Sequence, residues 1–276
     1  MLELPETITL AHQISDHLKG KSIQTVLAAQ SPHKFTWYHG DPQQYPARLE
    51  GTTILSAEAH GMFVQVNTSR ATLLFSDGVN LRWHPAAGEL PAKHQLLLEF
   101  DDGTALSASV AMYGGVECWE HDESLENPYY QVAISKPSPL SESFDATYFE
   151  NLLTTEKVLK FSLKAALATE QRVPGLGNGC LQDILWQAEL NPRRKVSELS
   201  DGQLETVFNA LKGTLAAMAE GGCRNTEKDL FGQPGSYAVK MCAATASLPC
   251  PRCGAAIIKE AYLGGSVYYC SNCQAR

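Results

Sequence analysis

Four cysteines near the carboxyl end restrict this chain more than any other feature. Cys250-Pro251-Arg252-Cys253 and Cys270-Ser271-Asn272-Cys273 are two C-x2-C knuckles separated by sixteen residues. A tetrahedral zinc ion takes four soft ligands, and each knuckle turn delivers two thiolates to one side of it. Gly254, Gly264 and Gly265 give permissive backbone at the turns. Ile257-Ile258 and Val267-Tyr268-Tyr269 have the character of a short hairpin that brings the knuckles together. Disulfide pairing is the competing assignment. The opening Met1-Leu2-Glu3-Leu4-Pro5-Glu6 has neither the basic nor the apolar region of a secretory leader, which favours the metal. The expectation is one structural Zn2+ on Cys250, Cys253, Cys270 and Cys273, closed to substrate.

A finger this small must be carried by something larger. The 276 residues are enough for two further domains, and 44% apolar residues are enough for their cores. No apolar run approaches a membrane span, so a cytosolic, monomeric protein without a membrane partner is expected. Cys118, Cys180, Cys223 and Cys242 have no ligand spacing and read as small buried hydrophobes. The net charge of −8 is uneven. Residues 1–140 carry 8 Lys/Arg against 16 Asp/Glu, whereas residues 141–276 carry 14 of each. Charge alone therefore counts mildly against a nucleic-acid partner.

Along the chain, Ile8, Ala11, Ile14 and Leu18 recur at helical spacing between Pro5 and Lys19, and Gly20 ends that helix. Short segments of strand character follow: Ser22–Ala28, Thr52–Ala57, Met62–Asn67, Ala71–Phe75, His94–Phe100, Thr104–Val110 and Val116–Trp119. Asp101-Asp102-Gly103 is a hairpin signal between two of them. A helix and about seven strands suggest a β-sandwich with the helix packed alongside. The proline-interrupted stretch Lys136–Ser141 is the best boundary. Helical segments then run over Asp145–Leu153, Glu156–Ala168, Asn178–Ala188 and Asp201–Ala219, the last opened by a capping box of Ser200 and Gln203. Residues 223–249 lack periodicity and read as a structured loop. The expected fold is α+β in three parts: a helix-plus-sandwich domain over 1–136, a helical domain over 137–245 and the finger over 246–276.

One turn carries chemistry. Val173-Pro174-Gly175-Leu176-Gly177-Asn178 lies between two helical segments, with Asn178 opening the second. Glycines permit close backbone approach, and free N–H groups at a helix start attract an anion such as a DNA phosphate. A tight turn with an asparagine cap explains the same letters.

Taken together, three features are similar to one family. They are Glu3-Leu4-Pro5-Glu6 ahead of a β domain, the Val173–Asn178 turn followed by Asp183, Trp186, Gln187, Ala188 and Asn191-Pro192, and the four-cysteine finger ending at Gln274. The chain resembles the formamidopyrimidine-DNA glycosylase and endonuclease VIII family, with Thr226–Gly235 resembling a distinct bacterial branch. The likeness is strong over 155–192 and 250–274 and loose across the β domain. It implies a helix–two-turn–helix (H2TH) module, a DNA-binding cleft between domains, and damaged or distorted DNA as partner, with the damaged base flipped out.

Carried over residue by residue, the resemblance implies catalytic roles for Glu3 and Glu6 and phosphate contacts from Gly175, Gly177 and Asn178. Three family positions differ. Leu2 stands where the family has a nucleophilic proline, Met62 where it has a hairpin lysine, and Gly265 where it has a finger-tip arginine. Met112-Tyr113-Gly114 replaces the family's Arg-Arg-Phe wedge. Tyr113 could stack on bases or simply end a strand. His60, Lys240 and Lys259 are candidate replacement DNA contacts, while Arg193-Arg194-Lys195 reads more readily as a solvated face.

Leu2 removes the secondary amine, and its bulk favours retention of Met1. The α-amine is then displaced by one residue, up to ~3.5 Å, a shift that costs on the order of a hundredfold in rate. The expected activity is release of a damaged base by hydrolysis, with AP lyase weak or absent. Glu3 would activate water or stabilise the sugar cation, or would only favour a helix start. Two alternatives stand beside it: an inactive DNA-lesion binder, and a zinc-ribbon protein that contacts protein or RNA.

Overall fold

The computed structural model describes residues 1–275. Its elements in order are α1 (Leu4–Leu18), β1 (Ile23–Ala28), β2 (Thr36–Trp37), α2 (Tyr45–Leu49), β3 (Ile54–His60), β4 (Phe63–Thr68), β5 (Ala71–Ser76), β6 (Val79–His84), β7 (Leu96–Phe100), β8 (Ala105–Val110) and β9 (Gly114–Glu120). The helical part follows with α3 (Pro128–Ser135), α4 (Ala146–Leu153), α5 (Glu156–Leu159), α6 (Leu163–Leu167), α7 (Asn178–Gln187) and α8 (Asp201–Glu220). The hairpin β10 (Ile257–Tyr262) and β11 (Gly265–Cys270) comes last.

The strands before residue 121 form two sheets, ordered β1-β7-β8-β6 and β2-β9-β5-β4-β3. Their inner faces enclose one core, with Val26, Val66, Leu73, Phe75, Leu98 and Leu106 supplied by alternate positions of the strands. The apolar stripe of α1, namely Leu10, Ile14 and Leu18, packs into that core. A second core lies among the helices, where Phe149, Leu163, Leu181, Ile184, Leu211 and Leu215 meet. The fold is therefore α+β, with sandwich, helical module and finger as expected. Among the described residues no helix is long and apolar enough to cross a membrane.

Several local expectations are corrected. Glu156–Ala168 is two short helices, because the Ser162 hydroxyl accepts from Ala165 N (3.3 Å) and starts α6 afresh. Strand β6, the two-residue β2 and helices α2 and α3 were not foreseen. Helix α3 is legible in retrospect, since Asn127 accepts from Tyr129 N and Tyr130 N ahead of Pro128. Cys118, Cys180 and Cys223 are buried, but Cys242 is only partly so.

Residues 223–249 contain no helix or strand, and fixed side-chain bonds hold them instead. Asp229 Oδ1 accepts from Phe231 N (3.0 Å) and Gln233 N (2.7 Å), which folds the Asp229–Gly235 stretch on itself. Leu230 is fully buried in the sandwich core. Its N–H donates to Gln13 Oε1 (2.9 Å), and its carbonyl accepts from Trp83 N (2.9 Å). The segment is a strap laid across α1 and β6.

Candidate functional site

The start of the chain is bound to the start of α7. Glu3 is 2% exposed, and both of its oxygens are fully engaged. Oε1 accepts from Gly179 N (2.8 Å) and Arg224 Nη1 (3.3 Å); Oε2 accepts from Gly177 N (3.1 Å) and Cys180 N (2.8 Å). The free N–H groups at a helix start do bind an anion, as the turn suggested, but the anion is Glu3 of the same chain. The glycines permit this contact. A Cβ on Gly177 would stand 2.5 Å from Glu3 Cδ, and one on Gly179 would stand 1.7 Å from Arg224 Nη1. Gly175 has φ +79°, and a Cβ there would stand 2.7 Å from Leu4 Cβ. Gly175 and Gly177 thus receive the amino end of the chain, and neither presents a free N–H to a phosphate. Gly175 N donates to Gln171 Oε1 (3.0 Å).

Arg224 completes the cluster. Its Nε donates to Glu6 Oε1 (3.0 Å) and its Nη2 to Glu6 Oε2 (2.8 Å), a two-pronged pair within a site where all three side chains are at least nine-tenths buried. Burial alone would raise the Glu3 carboxyl, but the Arg224 charge and the Cys180 and Gly179 bonds outweigh it and hold Glu3 below its ordinary value. At Glu6 burial prevails over Arg224, and its carboxyl is held above the ordinary value. The Met1 ammonium lies 2.6 Å from Glu227 Oε2, and the Met1 carbonyl accepts from Arg224 Nη2 (3.3 Å). Leu2 is buried in the sandwich core at 4% exposure, and its N–H donates to Asp77 O (2.6 Å). Arg224 and Glu227 were not foreseen, because more than two hundred residues separate them from the groups they meet.

The finger is attached to the same helix. The sulfurs of Cys250, Cys253, Cys270 and Cys273 all lie within 4.8 Å of one another, with Cys250–Cys273 at 4.0 Å and Cys253–Cys270 at 3.4 Å. Zn–S bonds of about 2.3 Å in a tetrahedron put sulfurs about 3.8 Å apart, so these four residues fit zinc. Trp186 Nε1 donates to Cys250 Sγ (3.4 Å), a contact that suits a thiolate. Asn178 Nδ2 and Gln182 Nε2 both donate to Ser266 O, at 2.9 and 3.2 Å, and Tyr268 N donates to Gln182 Oε1 (3.1 Å). Asn178 therefore joins hairpin to helix.

The remaining candidates are dispersed. His60 lies 3.6 Å from Glu58 Oε2 and edge-on to Tyr130, with burial holding its imidazole below the ordinary value. Lys240 Nζ sits over the Tyr237 ring (5.8 Å), and Lys259 Nζ over the Tyr268 ring (5.9 Å). Tyr113 packs on Trp37 with ring centroids 5.8 Å apart, while Met112 is 65% exposed. Arg193 pairs with Glu260 (2.6 Å), and Arg194 donates to Glu198 O and Gln203 Oε1. Near Gly265 the closest cation is Lys164, a buried residue that sequence reasoning missed. It lies 3.6 Å from a Cβ built on Gly265, and it donates to Tyr262 O (2.5 Å).

Comparisons with known proteins agree with this architecture. Residues 1–135 match the formamidopyrimidine-DNA glycosylase N-terminal domain, residues 136–228 its H2TH domain, and residues 247–276 a zinc finger found in FPG and IleRS. Formamidopyrimidine-DNA glycosylase of Lactobacillus delbrueckii subsp. bulgaricus is 26% identical over 287 residues, covering 100% of both chains. That of Vibrio atlanticus is 29% identical over 282 residues, covering 99% of this chain and 100% of its own. In structure, the Lactococcus lactis Fpg in complex with an abasic site containing DNA superposes with a TM-score of 0.83 at 22% identity, over 99% of this chain and 100% of that one. The three matched segments lie end to end along nearly the whole chain, and on that ground the chain belongs to the formamidopyrimidine-DNA glycosylase and endonuclease VIII family.

Proposed function

We propose that this protein binds damaged DNA and releases a damaged base by hydrolysis, without efficient AP lyase activity. The observation that carries this reading is the state of the amino end. Leu2 is a core side chain, and the Met1 ammonium is ion-paired to Glu227 at 2.6 Å. An amine so held is one residue away from the position implied by the family and is already engaged. The adjoining carboxylates offer a different chemistry. Glu3, Glu6 and Glu227 outnumber the two cations they surround, Arg224 and the Met1 ammonium, and the excess negative charge favours a cationic sugar as the base departs. Glu3 itself has no acceptor position left for water. Glu227, with a quarter of its side chain exposed, is the member of the cluster that solvent and substrate reach.

A panel of single- and double-stranded oligonucleotides carrying different damaged bases tests this. Base release without borohydride-trapped covalent product is the expected outcome, with Glu227→Gln slowing release by tenfold or more. Strong trapping at the amino end would falsify the hydrolytic assignment. The four filled acceptor positions of Glu3 favour a second reading, a lesion binder that has lost catalysis. Binding without release from any oligonucleotide selects it.

A further inference from the structure

Release of a base by hydrolysis needs one group that takes a proton from water and another that gives a proton to the departing nitrogen. The buried carboxylates at the amino end supply neither. Glu3 has both oxygens filled, Glu6 is held two-pronged by Arg224, and each is 2% exposed. Beside the amino end, where the sandwich meets the helical domain, lies a cavity of about 510 Å3. Two carboxylates outside the Arg224 cluster line it, Asp77 and Glu117.

Asp77 is set against the start of the chain, since its carbonyl accepts from Leu2 N at 2.6 Å. Its φ is +57°, in the left-handed region that a residue other than glycine enters only where its surroundings hold it. Those surroundings also aim the side chain. Gly115 N donates to Ser76 Oγ (3.2 Å), and Ser76 Oγ donates to Asp77 Oδ2 (3.2 Å). A Cβ on Gly115 would stand 2.7 Å from that hydroxyl, so the relay needs the glycine. Glu117, on the paired strand β9, is 9% exposed, and its Oε2 accepts from Asn127 Nδ2 (3.0 Å). Each acid is thus fixed by one oxygen, while Asp77 Oδ1 and Glu117 Oε1 accept nothing. Burial raises both carboxyls, and the charge of Asp77 raises Glu117 further. Among the described residues no Lys, Arg or His lines the cavity. Its other titratable groups are Tyr113, Tyr129 and the exposed Glu126 and Glu170, and Glu170 is paired with Lys157 and Arg172.

We propose that Asp77 and Glu117 are the catalytic pair for base release, Asp77 Oδ1 taking a proton from the attacking water and a protonated Glu117 Oε1 giving one to the leaving base. This assignment rests on the hydrolytic function proposed above. The water oxygen bonds to C1′ of the sugar as its proton passes to Asp77. The C1′–N bond breaks, its electron pair stays with the base nitrogen, and that nitrogen takes the Glu117 proton. Exchange with solvent then returns Asp77 to its charged form and Glu117 to its neutral one. A carboxylate that draws its proton from water forms no Schiff base, so no lyase step follows.

The test is base release by the zinc-loaded full chain from whichever damaged oligonucleotide the wild type acts on fastest. General acid and base groups contribute about 10²–10⁴-fold each. Asp77→Asn and Glu117→Gln should therefore each lower kcat about a hundredfold or more, with affinity for the uncleaved oligonucleotide unchanged. Wild-type release should be bell-shaped in pH, because Asp77 must be charged and Glu117 protonated. Asp77→Asn should lose the rise on the acid side, and Glu117→Gln the fall on the alkaline side. Asn and Gly both accept the left-handed backbone of residue 77, so variants there keep the fold. Asp77→Gly leaves room for a free carboxylate, and added formate should restore its release in proportion to concentration. If Glu117→Gln does not fold, the two Asp77 variants decide. Release at the wild-type rate, an unchanged pH profile or no rescue by formate overturns the pair and leaves the hydrolytic function standing. No release by the wild type from any oligonucleotide overturns both.

Discussion

Helix α7 holds two ends of the chain by opposite means. At its first turn a buried carboxylate from residue 3 fills the helix N–H groups, and Arg224 neutralises it. Along its length the finger is fastened by Asn178, Gln182 and Trp186, while four thiolates shape the finger itself. The first joint is electrostatic and closed to solvent; the second is templated by a metal and partly open. The two joints share a helix but no side chain, so damage to each should be separable.

The largest effect should come from the metal joint. Structural zinc contributes about 10–16 kcal/mol in finger peptides at neutral pH, so chelation or Cys250→Ser should unfold the hairpin. Duplex binding is expected to fall more than tenfold, while the thermal transition of the sandwich persists. A single concerted collapse on chelation would erase the distinction between the joints. Next comes Arg224→Met, which strands Glu3 and Glu6 in the interior. Breaking such a buried pair costs about 3–5 kcal/mol, measurable by urea unfolding, and a neutral result would mean that the arginine does not hold the joint.

Gly177→Ala forces a methyl to 2.5 Å from Glu3 Cδ, and overpacking of this kind costs about 1–3 kcal/mol. Acidity gives the joint a signature that the finger lacks. The lowered Glu3 value stabilises the fold above the ordinary carboxylate range, and that contribution is lost as pH falls through the folded value. Glu6 has the opposite sign: its raised value favours the fold at low pH, and the contribution is lost as pH rises through that value. Glu3→Gln should therefore flatten the acid limb of the stability profile and Glu6→Gln the limb above it. The smallest effect belongs to Asn178→Ala, about 1 kcal/mol for its hydrogen bond, seen as faster amide exchange confined to β10 and β11.

The same contrast explains what could be read from letters. Four cysteines at fixed spacing declare their geometry, because the ligands are local in sequence and the metal dictates the rest. The helix α1, the core strands other than β6 and the Ser200 cap were legible for a similar reason, since their periods and caps lie within a few residues. Glu3 was legible as an important residue but not as a helix cap in trans. Its donors are backbone groups of residues 177–180, and its counter-ion is 221 positions away. The turn glycines misled for the same cause, since an anion site was visible but its occupant was not.

The strap through Leu230 has a consequence for cooperativity. It leaves α8, enters the sandwich core, and returns through Tyr237 and Lys240 to Asp183 on α7. A segment without helix or strand thus shares apolar contacts with one core and hydrogen bonds with the other. Neither body can melt without pulling a residue out of its neighbour, and the sandwich and helical module should appear as one calorimetric transition. The backbone amides of Leu230 and Met241 should exchange as slowly as those of a central strand.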